Sequence, residues 1–316
     1  MFEHVLVPLD GSSIAECVLS HVVAIARPFG SLVTLLHILE PSEDPITSRP
    51  VSAIDWSIAH AKANAYLATI ADRLTASGLR AATEVLEGRA AERIVEFAGS
   101  VGADLTVLSS HGRNGFRGWN ISGVAQKVLL RLLRPILLVR ASRSGTYELG
   151  TLRYQKLLIA LDGSARAESI LPVATVLAAH YRAQLLLAHV LRKPEIVSHA
   201  ASDRGSRLTY QVMKCNHLVA LGYLEGLKAR LPGEAQIRLL ADDNPAHALD
   251  DAAAREEADL IMANAHGRSG ILWRPYGSTA MDLILYGSSP VLLLQDIPEE
   301  QRTWRVEEAP ARDREL

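Results

Sequence analysis

Apolar residues in this chain come in short unbroken runs, each followed by a turn and then by a stretch of helical period. Val5-Leu6-Val7 leads into Pro8-Leu9-Asp10-Gly11-Ser12, and the same phrase returns 152 positions later as Leu157 to Ser164. Runs that are apolar at successive rather than alternate positions predict strands buried on both faces. Further strands are predicted in matched pairs: Leu32–Leu39 with Gln184–Leu191, Ala82–Leu86 with Gln236–Leu240, Ala103–Leu108 with Asp259–Ala263, and the closing runs Pro135–Val139 with Pro290–Leu294. Helical period fills the intervals. It covers Ser13–Arg27 and Ala165–Tyr181, Ile54–Ser77 and Leu208–Arg230, Gly88 to about Ala98 and a counterpart opening at Pro245, then Val124–Leu133 and Thr279–Tyr286. Proline suits the first turn of a helix, where its missing N–H has no partner to lose. Ser13 and Glu16 have the spacing of a capping box.

Strand and helix therefore alternate through two similar copies. The expected fold class is α/β: two tandem doubly wound domains, each a five-stranded parallel sheet with helices on both faces. The expected limits are 1–142 for the first domain, 143–155 for a linker, 156–297 for the second domain and 298–316 for a charged, apolar-poor tail, read as disordered. The leucine-rich closing strands would invite aggregation if left as open edges. Packing of the two halves on each other as an intramolecular pseudo-dimer would cover them; a homodimer is left open.

Composition narrows the classes of function. The 316 residues are 48% hydrophobic and 22% charged with a net charge of −2, which makes no electrostatic case for nucleic acid or an anionic membrane. No apolar run approaches the length of a membrane span, and the start of the chain lacks a signal-peptide pattern. Two cysteines, Cys17 and Cys215, make no disulfide framework. A cytoplasmic protein is expected. Cys215 and His217, with His199 upstream, match none of the usual zinc spacings.

The candidate chemistry lies in one stretch and its repeat. Ala263 to Ser278 reads Ala-Asn-Ala-His-Gly-Arg-Ser-Gly-Ile-Leu-Trp-Arg-Pro-Tyr-Gly-Ser, between an apolar run and an amphipathic one opening at Thr279. A strand feeding a glycine-bearing loop and then a helix can hold an anion on backbone N–H groups. Gly267 and Gly277 would let a phosphate approach the main chain, and Ser278 would cap the helix. Taken alone, the stretch also reads as a plain chain reversal. The second copy shifts the balance: Ser109-Ser110-His111-Gly112-Arg113-Asn114-Gly115 lies 155 positions earlier in the same context. In such sheets ligands bind at the carboxyl ends of the strands. Both the Asp-Gly-Ser turns and the His-Gly loops fall there.

An opening Asp turn followed by a closing Gly-x-x-Gly-x9-Gly-Ser pattern resembles the universal stress protein family, and the resemblance covers both copies. It implies ATP, with or without Mg2+, as ligand; AMP or another nucleotide stays open. Carried over by residue, the implied second site is Asp162, Val190, Asn264, His266, Gly267, Gly277, Ser278 and Thr279. The implied first site is Asp10, Ile38, His111, Gly112, Ser122 and Gly123. Asn264 and Ser109 depart from the first motif glycine, and Ser122-Gly123 reverses the Gly-Ser order. The second site is therefore expected to be the stronger. Asp10 and Asp162 fit a ribose hydrogen bond or a metal on the phosphates; a helix-opening acid is the plainer role. Arg113 and Arg268 fit phosphate screening or plain solvation.

Gly-Lys, Gly-x-Gly and Gly-x-Ser-x-Gly are all absent, which excludes a P-loop, the usual dinucleotide fingerprint and a nucleophile elbow. No catalytic residue is assigned. The expected function is nucleotide-binding stress response or signalling, sensing by occupancy, with an unknown protein partner. Two alternatives stand beside it: an interaction scaffold with degenerate sites, and a slow ATP-hydrolysing enzyme.

Overall fold

A computed structural model describes residues 1–40, 53–112, 121–141, 149–192, 203–268 and 275–296. The expected tail, linker residues 143–148, His199, Arg113 and the middle of both motif loops lie outside these residues. The first half comprises β1 (His4–Pro8), α1 (Val18–Phe29), β2 (Leu32–Leu39), α2 (Ala53–Ala76), β3 (Arg80–Glu87), α3 (Ala90–Ser100), β4 (Leu105–Ser109), α4 (Gly123–Leu129) and β5 (Ile136–Val139). The second repeats it with β6 (Lys156–Ala160), α5 (Ala165–Glu168), α6 (Leu171–Tyr181), β7 (Gln184–Leu191), α7 (Asp203–Lys228), β8 (Ala235–Ala241), α8 (Pro245–Glu256), β9 (Leu260–Asn264), α9 (Ser278–Tyr286) and β10 (Val291–Leu294).

Within each half all strand pairs are parallel, as the unbroken apolar runs require. The halves join through β5 and β10, which pair antiparallel with Val291 opposite Leu138, Leu292 opposite Leu137 and Leu293 opposite Ile136. One ten-stranded sheet results, in the order β3-β2-β1-β4-β5-β10-β9-β6-β7-β8. All six of those side chains are fully buried. The closing strands thus cover each other's edges. The apolar clusters on the two faces of the sheet each draw residues from both halves, so the core runs across the junction. The residues joining the halves add to it. Tyr154 is fully buried, stands edge-on to Tyr181 and shares a 3.0 Å hydrogen bond with His21 Nδ1. Tyr181 in turn donates to the Ala24 carbonyl of α1 at 2.9 Å.

Several local expectations need correction. The stretch Ala165–Tyr181 is two helices, because Pro172 lies in the first turn of α6 and cannot continue a helix from α5. The first half breaks at the same place: Ala15–Cys17 forms a single 3-10 turn before α1. Ser13 and Glu16 form no capping box. Ser12 accepts instead from Ala15 N, and Glu16 pairs with Arg73 at 3.0 Å. Helix α7 opens at Asp203, five residues before the expected Leu208, and α4 ends at Leu129, short of Leu133.

Candidate functional site

The site is built from two turns that meet at the carboxyl edge of the second half. After β6, the chain reverses through Asp162-Gly163-Ser164. Gly163 has φ +82°, a left-handed conformation that a Cβ would strain, which is why the turn carries glycine. Ser164 then folds back: its backbone N–H and hydroxyl both donate to Asp162 Oδ1, at 2.9 and 2.6 Å. It also caps α5 through Ala167 N. Asp10, Gly11 and Ser12 repeat this geometry in the first half, with Ser12 donors at 2.9 and 2.6 Å.

The motif loop closes on that carboxylate. Arg268 N donates to Asp162 Oδ2 at 2.5 Å and its guanidinium donates to the Asp162 carbonyl at 2.9 Å. Burial pushes the Asp162 carboxyl up, but the hydrogen bonds from Ser164 and Arg268 and the Arg268 charge outweigh it and leave the group below its usual range. A Cβ on Gly267 would fall on Asp162 Oδ2, and one on Gly112 would fall on Asp10 Oδ2. These glycines are therefore explained by the neighbouring carboxylate, a reason beyond the phosphate approach and the chain reversal expected for Gly267.

Gly277 is different. Its φ of −70° is open to any residue, and an added Cβ would meet the Ala265 carbonyl at an ordinary 3.4 Å. Nothing in the fold requires glycine there. It is the N-cap of α9 and makes no side-chain cap, and Ser278 lies inside the helix rather than capping it, against expectation. In the first half Ser122 takes the position of Gly277, and its hydroxyl caps α4 by accepting from Ala125 N at 3.2 Å. The reversed Ser122-Gly123 order therefore gives that helix a filled cap where α9 has an open N-terminus.

Asp162, Val190, Asn264, His266, Gly267, Gly277, Ser278 and Thr279 all line one cavity of about 1260 Å³. Asn264 is buried with both ends of its amide engaged: Nδ2 donates to the Arg166 carbonyl at 2.5 Å and Oδ1 accepts from Ser169 at 3.1 Å. It braces the loop against the α5–α6 break. In the first half Asp10 and Gly112 are brought together, His111 lies beside Ser110, and Ile38 is at the end of β2.

Sequence reasoning missed other lining residues. His189, one position before Val190, donates from Nδ1 to the Leu161 carbonyl at 2.8 Å; the carbonyl only accepts, which fixes the tautomer. Burial lowers its pKa, with that hydrogen bond and Asp162 pulling the other way. Tyr223 on α7 also lines the cavity; burial and the adjacent Glu168 push its hydroxyl pKa up. Glu168 pairs with Arg230 as Glu16 pairs with Arg73. The repeated Tyr-x6-Arg spacing of Tyr66-Arg73 and Tyr223-Arg230 was the available signal. Leu130, from the end of α4 in the first half, reaches the same cavity. Cys215 and His217 are exposed on α7, and no cluster of three potential metal ligands occurs among the described residues. No described helix is long and apolar enough to cross a membrane.

Comparison with known proteins agrees with this geometry. The model of the universal stress protein family matches residues 1–140 and again 153–295. Universal stress protein MJ0531 of Methanocaldococcus jannaschii is 26% identical over 144 residues, 44% of this chain and 83% of its own. Universal stress protein Rv2005c of Mycobacterium tuberculosis is 23% identical over 191 residues, 60% of this chain and 61% of its own. The crystal structure of a universal stress protein from Archaeoglobus fulgidus superposes with a TM-score of 0.66 at 18% identity, covering 93% of this chain and 99% of that one. The chain belongs to the universal stress protein family and carries two copies of its domain in tandem.

Proposed function

We propose that this stress-response protein binds an adenine nucleotide, ATP foremost, in the cavity of its second half, and that occupancy rather than turnover is its output. The observation that carries the reading is the open N-terminus of α9. Gly277 is not required by backbone conformation or by packing, yet it stands where a helix turns its first N–H groups, which have no intrahelical partners and no side-chain cap, toward a cavity. A phosphate at that point gives the missing Cβ a reason. Ser278 and Thr279 add hydroxyls beside it, and Arg268 lines the same cavity. Backbone at Val190, the end of the second strand, would take the base edge, as the family resemblance implies.

In the first half the equivalent helix end is occupied by the Ser122 hydroxyl, so that half is the weaker site or none. Magnesium on the phosphates would be held chiefly by the nucleotide, with Asp162 the adjacent carboxylate. The sequence has no P-loop lysine, and among the described residues no base and nucleophile are assembled at the cavity, so turnover with magnesium is expected to stay below about 1 s⁻¹, the lower end for kinases. Calorimetric titration with ATP tests the reading: one site per chain is expected, and no heat with any adenine nucleotide would overturn it.

A further inference from the structure

The two halves hold their motif histidines by different means. In the first half, Ser110 Oγ lies 3.0 Å from His111 Nδ1 and accepts from Ala141 N at 3.0 Å. In the second half the serine is replaced by Ala265 and the alanine by Asp296. The strand ends confirm the correspondence: Ser110 N donates to the Val139 carbonyl as Ala265 N donates to the Leu294 carbonyl. Asp296 Oδ1 lies 2.7 Å from His266 Nδ1, and Arg166 Nε approaches Asp296 Oδ2 at 3.4 Å. The His266 side chain has no exposure and that of Asp296 only 10%. A neutral hydroxyl on one histidine is thus exchanged for a buried carboxylate on the other.

We infer that Asp296 is a positioning residue for the ligand site of the second half: through His266 it sets the backbone of Gly267 and Arg268 against the cavity, and Arg166 holds the carboxylate in place. The inference rests on the nucleotide reading of that cavity. Three features carry it. His266 lines the cavity and Asp296 lies behind it, so the carboxylate acts through the ring. Arg166 is tied to the same loop from its other side, since its carbonyl accepts from the Asn264 amide. The first half has Ile14 in the place of Arg166, so the whole His266–Asp296–Arg166 arrangement belongs to the half whose helix end is open. A carboxylate partner fixes an imidazole's tautomer and orientation more firmly than a neutral hydroxyl does, because charge-assisted hydrogen bonds are roughly twice as strong.

The test exploits the arrangement that the first half already folds with. The double variant Ala265→Ser/Asp296→Ala gives His266 the hydroxyl partner that His111 has, so the fold should persist. ATP affinity should fall about tenfold or more, the gap between a charged and a neutral hydrogen bond. Asp296→Asn keeps an acceptor for Nδ1–H and should recover part of the loss that Asp296→Ala shows. In the imidazole NMR spectrum, the low-field Nδ1 proton expected for His266 in the native protein should weaken in the double variant. A native protein that binds ATP alongside a folded double variant that binds it equally well overturns this inference alone. A native protein that binds no adenine nucleotide overturns the nucleotide reading and this one with it.

Discussion

Two glycines of the motif should respond to the same substitution in opposite ways. In Gly267→Ala the new methyl meets Asp162 Oδ2, the oxygen that accepts from Arg268 N. The carboxylate has to move, and the bond most directly lost is one to a charged group, worth about 1.5–3 kcal/mol. Gly277→Ala meets only the Ala265 carbonyl at 3.4 Å and keeps an allowed φ of −70°. Alanine is a poorer N-cap than glycine, but it also lowers the entropy of the unfolded chain by about 0.4–1 kcal/mol, so the two effects nearly cancel. Urea unfolding should therefore show Gly267→Ala less stable by about 2 kcal/mol and Gly277→Ala within about 0.5 kcal/mol of the native protein. Calorimetry with ATP should show Gly277→Ala weakened at least tenfold, a loss of about 1.4 kcal/mol, because the methyl fills the phosphate approach. Unchanged ATP affinity in Gly277→Ala would refute the assignment of phosphate to the α9 end. Native stability in Gly267→Ala would refute the account of why that glycine is there.

Three further outcomes follow from the geometry. Leu293→Asp puts an unpaired charge into the β5–β10 seam, where Leu293 faces Ile136 and both are fully buried; a loss of about 4 kcal/mol or more is expected, and native-like urea unfolding would contradict the pairing. Tyr154→Phe strips the hydroxyl from His21 Nδ1 at the junction of the halves and should cost about 1–3 kcal/mol in the same assay, with an unchanged midpoint the refuting result. Asp162 has a folded pKa below its ordinary 3.8, so its contribution is present above that pH and lost as pH falls through the folded value. The melting-temperature gap between the native protein and Asp162→Asn should accordingly narrow as pH drops below about 3.8, and a gap that widens would reverse the sign.

The fold was legible because strands buried on both faces leave unbroken apolar runs, and the repeat showed each run twice. Leu32–Leu39 and Gln184–Leu191 were read to their observed ends. The partnership of the closing strands was legible from the edge each would otherwise expose. The break before Leu171 was not read, although Pro172 was in view, because the apolar period runs straight through it. Tyr154 was hidden in a polar linker, and its burial depends on helices α1 and α6 meeting across the junction. In the site, residues carried over from the motif were brought together, while Asp296 was invisible: it follows the last apolar run by two positions and reaches His266 only once β9 and β10 are paired. Gly267 was legible as a glycine but not for its reason, since the carboxylate it seats is over a hundred residues away in the chain.

The most direct measurement is the number and place of bound nucleotides on the whole chain. Native mass spectrometry with ATP, run on the native protein and on Gly277→Val and Ser122→Val, separates the halves. The expected result is one ATP per chain, lost in Gly277→Val and retained in Ser122→Val. No bound nucleotide on the native protein, or one that Ser122→Val removes and Gly277→Val leaves, would contradict the account.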